Sequence, residues 1–218
     1  QEIYYKKRNS NLMTSTHLPC GIELPQVFFD GPVNMEHIRN FATRAETLGY
    51  DSLWLQERII GDFIMLEPVT LLSYAAAITT KLKLGTSVIL LPLRNPIQLA
   101  KAYSTLDTMS GGRAVLGVGL GGGHLGSHED VFGYTRQGRV TRFTEAVQII
   151  KLLWTEPKAS FHGRYWNFED VSMEPKPAQK PPAKTGTTGP VPPPGSPKPA
   201  SAKQPPSLPS LKTAKEWI

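Results

Sequence analysis

Few side chains in the 218-residue chain have both the type and the placing for chemistry. His124 follows the run Gly117-Val-Gly-Leu-Gly-Gly122, and a loop histidine can exchange a proton near neutral pH. The alternative is a histidine simply facing solvent. Glu57-Arg58 directly follows an apolar stretch, where two adjacent charges are not core residues. A guanidinium such as that of Arg58 can hold an anion but does not serve as a general acid near neutral pH. A surface ion pair is the plainer reading of the same two residues. The glycine run fits G-x-G-x-x-G, yet a dinucleotide fingerprint needs a helix opening on the last glycine and an acid about 20 residues later. A polar segment intervenes instead, and position 142 is Arg. His128, Glu129 and Asp130 are adjacent and do not give a metal-ligand spacing.

These residues need a scaffold, and the chain between Leu82 and His124 supplies its clearest part. Leu82 to Leu91 is nearly all apolar, as in a strand buried on both faces. Asn95-Pro96 then caps and opens a helix with Ile97, Leu99, Ala102, Leu106 and Met109 on its apolar side, ended by Gly111-Gly112. Arg113 to Gly119 is a second buried strand, so the unit implies parallel strands joined by a right-handed crossover. Upstream, Cys20–Pro25 and Ser52–Gln56 read as strands. One helix follows Asn34, with Ile38, Phe41, Ala45 and Leu48 inward and Gly49 closing it. Another follows Glu67-Pro68, with Val69, Leu72, Ala76 and Ile78 inward. Downstream, Val140, Phe143, Val147, Ile150 and Trp154 make a helical stripe, and Phe161–Phe168 alternates as a hairpin around Gly163.

Several short pieces, in this order and spacing, carry a resemblance: Leu84-Gly-Thr-Ser-Val88, Asn95-Pro96, Gly111-Gly-Arg113, Leu116-Gly-Val-Gly119, Phe132-Gly133, and Arg142-Phe-Thr-Glu145 leading to Leu153-Trp154. Together they resemble the luciferase-like family of flavin- or deazaflavin-dependent oxidoreductases. The resemblance implies an α/β fold of the (β/α)8 barrel type, with the site at the C-terminal ends of the strands. It implies a monooxygenase acting on a small organic substrate and O2 with reduced FMN. The alternative is hydride transfer with the 8-hydroxy-5-deazaflavin coenzyme. On the same resemblance Ser87 and Val88 back the cofactor ring, with a non-prolyl cis peptide common at that position. Gly119, Gly121 and Gly122 let the ring or its side chain approach the backbone, and Asn95 either bonds the ring or only caps its helix. Family members often place a His after the acid at position 57. Arg58 stands there instead, so Glu57, Arg58 and His124 are the candidate catalytic groups. A homodimer through the second and third helices is also implied.

Only four β–α units and the hairpin can be read, where a full barrel takes roughly 250 residues. The expected division is an N-terminal extension (1–18), a partial barrel (19–178), and a disordered Pro-rich basic tail (179–218). From Pro175 onward the chain holds 13 of its 20 prolines and seven lysines against one acid, which accounts for its whole formal charge of +6. Lysines without interleaved aromatics do not make a nucleic-acid signature, and no apolar run reaches membrane-spanning length. One lone cysteine, Cys20, and no signal-type segment at the N-terminus point to a reducing, cytoplasmic setting. Half a barrel leaves its outer strands with unpaired edges. It also lacks the late loops that bind a cofactor phosphate, so FMN affinity is expected to drop, and an inactive truncated fragment is the competing reading.

Overall fold

The computed structural model describes residues 18–29, 31–121, 131–133 and 137–180. Four strands form one parallel sheet in the order β1 (Gly21–Glu23), β3 (Ser52–Leu55), β5 (Lys83–Thr86) and β7 (Ala114–Val115). Its register sets Glu23 beside Trp54, Trp54 beside Gly85, and Gly85 beside Val115. Helices α1 (Met35–Thr47), α2 (Pro68–Ile78), α3 (Pro96–Ser110) and α4 (Arg139–Thr155) follow these strands in turn. Leu53, Leu55, Leu84 and Ala114 point into the core that the helices share. Alternation along the strands turns Glu23, Trp54, Gly85 and Val115 to the opposite face.

Helix starts follow the sequence. Asn34, Glu67 and Asn95 each accept an N–H of the first turn, and Pro68 and Pro96 occupy first-turn positions. Gly111, at φ 69°, ends α3 in the left-handed conformation. The buried faces differ from the expected stripes. In α4 the inward residues are Glu145, Ala146, Ile149, Ile150 and Leu153, while Val140 is exposed. The helix is apolar over a wide arc, and a buried Glu145 decides between adjacent stripes by accepting N–H groups of Arg164 and Tyr165 at 2.7 and 3.0 Å. Leu48 of the first helix and Met109 of the third are likewise exposed; Ala42 and Tyr103 take the inward places.

Each of the two long apolar strands divides. After β5 the peptide Ser87–Val88 is cis, and a second segment, β6 (Ile89–Leu90), pairs in parallel with β8 (Val118–Gly119) rather than with the main sheet. A further arm joins the tips of the first two strands: β2 (Val27–Phe28) lies antiparallel to β4 (Ile64–Met65). The buried Gln26 amide fastens it, donating to Gln56 O at 2.8 Å and Leu66 O at 2.6 Å. The hairpin is β9 (Ala159–His162) with β10 (Asn167–Val171), turned at Gly163.

Two side chains tie the sheet floor. Arg113 donates to Ala76 O, Thr79 O and Leu82 O, occupying carbonyls at and just past the end of α2. Gln179 donates through its backbone and side chain to Asp107 at 2.9 and 2.6 Å, and to Ala114 O at 2.7 Å. The folded body thus reaches at least to Gln179.

Candidate functional site

Two cavities lie at the C-terminal tips of the parallel strands; Ser87 lines the first, and Glu57, Arg58 and Asn95 line the second, while Val88, Gly119 and Gly121 line neither. The first, about 250 Å³, is lined by Glu23, Trp54, Leu55, Gln56 and Ser87. Its floor is the Trp54 indole, which lies across both neighbouring strands. A Cβ built on Gly21 would sit 2.4 Å from the indole nitrogen, and one on Gly85 would sit 2.4 Å from its six-membered ring. Both positions must therefore lack a side chain for the indole to lie there. The indole N–H donates to Ser52 Oγ at 2.8 Å. Above it, Gln56 Nε2 donates to Glu23 Oε1 at 3.0 Å.

The second cavity, about 350 Å³, opens toward the N-termini of α2 and α3 and includes Glu57, Arg58, Met65, Arg94, Asn95 and Phe132. Glu57 is buried, its side chain 1 % exposed, which corrects the expectation of a non-core charge after the strand. Its partner is not Arg58 but Arg94, which pairs with Glu57 and also reaches Glu67 at 2.9 Å. Glu57 also accepts the Leu90 N–H at 2.5 Å, holding β6 in place. Burial alone would lower the Arg94 pKa, but the Glu57 and Glu67 carboxylates beside it raise it above its ordinary value. Arg58 is exposed; its Nε donates to Ile60 O at 3.2 Å and its guanidinium lies 4.8 Å from the centre of the Phe63 ring. Asn95 spends its side-chain oxygen on the N–H groups of Ile97 and Gln98, as a cap.

Ser87 and Val88 are both exposed at the tip of β5. Behind them a hydroxyl network locks β5 to the segment between β7 and β8 and to α3. Thr86 Oγ1 has one proton and gives it to Gly117 O at 2.9 Å, so the Tyr103 hydroxyl, 2.8 Å away, donates to Thr86. Burial pushes the Tyr103 phenol well above its usual range and keeps that proton in place. The glycines of this strand have a reason within the chain. A Cβ on Gly117 would lie 2.0 Å from Thr86 O, and one on Gly119 would lie 2.5 Å from a Val88 methyl. Gly121 adopts φ 77°, a left-handed conformation. Gly122, His124 and the His128–Asp130 group lie outside the described residues. Sequence reasoning missed Glu23, Trp54 and Arg94. The alternation of β1 and β3 was the available signal for the first two; nothing local marked Arg94.

Comparison with known proteins bears on the family and the fold. The luciferase-like monooxygenase family profile matches residues 11–193. An F420-dependent glucose-6-phosphate dehydrogenase of Kineococcus radiotolerans is 36% identical over 161 residues, 70% of this chain and 47% of that protein. Pyrimidine monooxygenase RutA of a Bradyrhizobium species is 30% identical, over 70% of this chain and 39% of its own. Among solved structures, monooxygenase RslO1 of Streptomyces bottropensis superposes with a TM-score of 0.66 at 27% identity, covering 75% of this chain and 51% of that one. The chain thus spans about half the length of the curated relatives it matches. No helix among the described residues is long and apolar enough to cross a membrane.

Proposed function

We propose, for a chain that belongs to the luciferase-like monooxygenase family, a redox role in which the strand tips hold the ring of a deazaflavin. The observation that carries this is the 36% identity to an F420-dependent dehydrogenase over 161 residues. It favours the deazaflavin over the flavin monooxygenase that the motifs alone put first. The flavin reading is supported by the likeness to the monooxygenases RutA and RslO1, and it would require O2 as co-substrate.

The cleft fits a flat heteroaromatic ring: an indole floor, the Ser87–Val88 edge, and amide and carboxylate groups at its rim. A bound deazaflavin would supply hydride acceptance or donation toward a small organic substrate. The chain's own part is to bind and orient. Ser87 and Val88 form the ring's edge. Gly117 and Gly119 let β5 and β8 close beneath it. Glu57 and Arg94 fix the Leu90 N–H, and so act as positioning residues. Arg58, exposed beside the Ile59–Phe63 loop, meets an anionic group of the substrate.

Titration of the purified chain with F420 and with FMN, followed by cofactor fluorescence, tests the reading. Saturable binding of F420 tighter than FMN is expected. Saturation by FMN alone would move the assignment to the flavin reading, and saturation by neither would refute both.

A further inference from the structure

The first strand leaves the sheet before its neighbour does. Leu24 N–H donates to Trp54 O at 3.1 Å, and Pro25, next in the chain, has no N–H to give. Leu55 turns its carbonyl the other way, to Ser87 N–H, so Gln56 is the next residue whose N–H and C=O look toward β1. The side chain of Gln26 meets them. Its Oε1 accepts the Gln56 N–H at 3.0 Å, and its Nε2 donates to Gln56 O at 2.8 Å. The amide thus stands in for the opposing residue of an antiparallel ladder. Nε2 also donates to Leu66 O at 2.6 Å, and the Gln26 carbonyl accepts the Leu66 N–H at 3.1 Å. One residue, 2 % exposed, therefore closes four backbone groups: two on the tip of β3 and two at the base of the β2–β4 arm. The arm itself is a ladder of two residue pairs, too short to hold its place unaided.

We propose that Gln26 is a positioning residue of the candidate site, whose amide locks the tip of β3 and the β2–β4 arm into one wall. Gln56 lines the first cavity, and Glu57, Arg58 and Met65 line the second, so this latch sets how the two cavities lie relative to each other. The bonds dictate the residue type. They need two N–H donors and one acceptor on a single planar head, which an amide has and a carboxylate lacks. A carboxyl at this place would face the carbonyls of Gln56 and Leu66, so it could hold the wall only when protonated, and then by one of them. The consequence for cofactor affinity rests on the deazaflavin reading; the wall itself does not.

The test compares Gln26→Glu and Gln26→Met with the wild-type full chain at about pH 5 and about pH 8, a span chosen for a buried carboxyl whose pKa desolvation and facing carbonyls raise. Amide-exchange protection at Gln56 and at residues 64–66 reads the wall, and circular dichroism confirms that the variants fold. Gln26→Met leaves buried backbone groups unpaired, so protection there should drop about tenfold or more at both pH values. In Gln26→Glu protection should stay nearer to wild type at the lower pH, where the carboxyl keeps its proton, and be lost as pH rises. Each value is taken as a ratio to wild type at the same pH, which removes the titration of Glu23 and Glu57, present in every chain. Protection in α3 should not change. Fluorescence titration with F420 and with FMN should give an affinity ratio for Gln26→Glu that follows the same pH dependence. Wild-type protection in Gln26→Met, or a loss in Gln26→Glu that is equal at both pH values, overturns the proposal. A wall that responds while the affinity ratio stays constant makes Gln26 a structural residue only, and overturns it as well. If wild type binds neither cofactor, the deazaflavin reading fails and the exchange comparison alone decides on the latch.

Discussion

Arg94→Ala should destabilise the fold more than any exposed charge removal. The substitution leaves Glu57, whose side chain is 1 % exposed, with the Leu90 N–H and no cation. Removing one partner of a buried pair costs about 3–5 kcal/mol, because the remaining charge keeps its desolvation penalty. The second contact of Arg94 adds little, since the Glu67 side chain is 41 % exposed and such pairs contribute about 0–1 kcal/mol. At about 2–4 °C per kcal/mol for a body of this size, Tm should drop by roughly 6–20 °C. Urea unfolding followed by far-UV circular dichroism measures the loss, with Glu67→Gln as a control expected to cost under about 1 kcal/mol. The diagnostic variant is the double substitution Arg94→Ala/Glu57→Gln. Neutralising the stranded carboxylate should restore part of the stability, a coupling the cycle isolates. A double variant as unstable as Arg94→Ala alone, or a single variant costing no more than Glu67→Gln, would refute the reasoning.

Three further outcomes are expected. Gly117→Ala places a methyl 2.0 Å from the Thr86 carbonyl, which is backbone and cannot step aside, so a loss of about 1–3 kcal/mol or more should appear in the urea midpoint. Arg113→Ala frees three carbonyls at the α2 terminus, and amide exchange should speed up in residues 76–82 before it does in β3; unchanged exchange there would count against the clamp. Acid should weaken the fold through Glu46 and Glu67. Burial pushes each pKa up. For Glu46 the N–H groups of Thr80, Lys81 and Leu82 outweigh it, and for Glu67 the Thr70 N–H and Arg94 do. Both folded values therefore lie below the ordinary carboxyl pKa of about 4.3. The stability they contribute is complete above that value and is lost as pH drops through the lower folded values. Glu46→Gln should flatten this part of the profile, read as the urea midpoint against pH.

The order of elements was legible because strand runs and helix caps are local signals. Asn34, Glu67 and Asn95 act as caps as the sequence indicates. The faces of helices were less legible where apolar residues cover a wide arc. In α4, Val147 and Trp154 compete with Ala146 and Leu153, and Glu145 settles the choice through a hairpin 19 residues away. The division of the two apolar strands was hidden for a related reason: Ile89 and Val118 are as strand-like as their neighbours, and only pairing distinguishes them. At the candidate site, Ser87 was visible through its motif, whereas Glu57 needed Arg94, 37 residues on, before its burial made sense. Trp54 looked like one more apolar strand residue; the glycines on both flanking strands reveal it as the cavity floor.

The break at residue 87 on one strand and 117 on its neighbour separates two tiers of pairing. The lower tier carries the packed leucines, while the upper one is a two-residue ladder held by Glu57 and by Val88 over Gly119. Selection can therefore retune what the rim recognises by altering the small upper ladder and its loops. The sheet of packed leucines below need not change with it. A lineage built on such a plan can diversify its chemistry without repeatedly reinventing its frame.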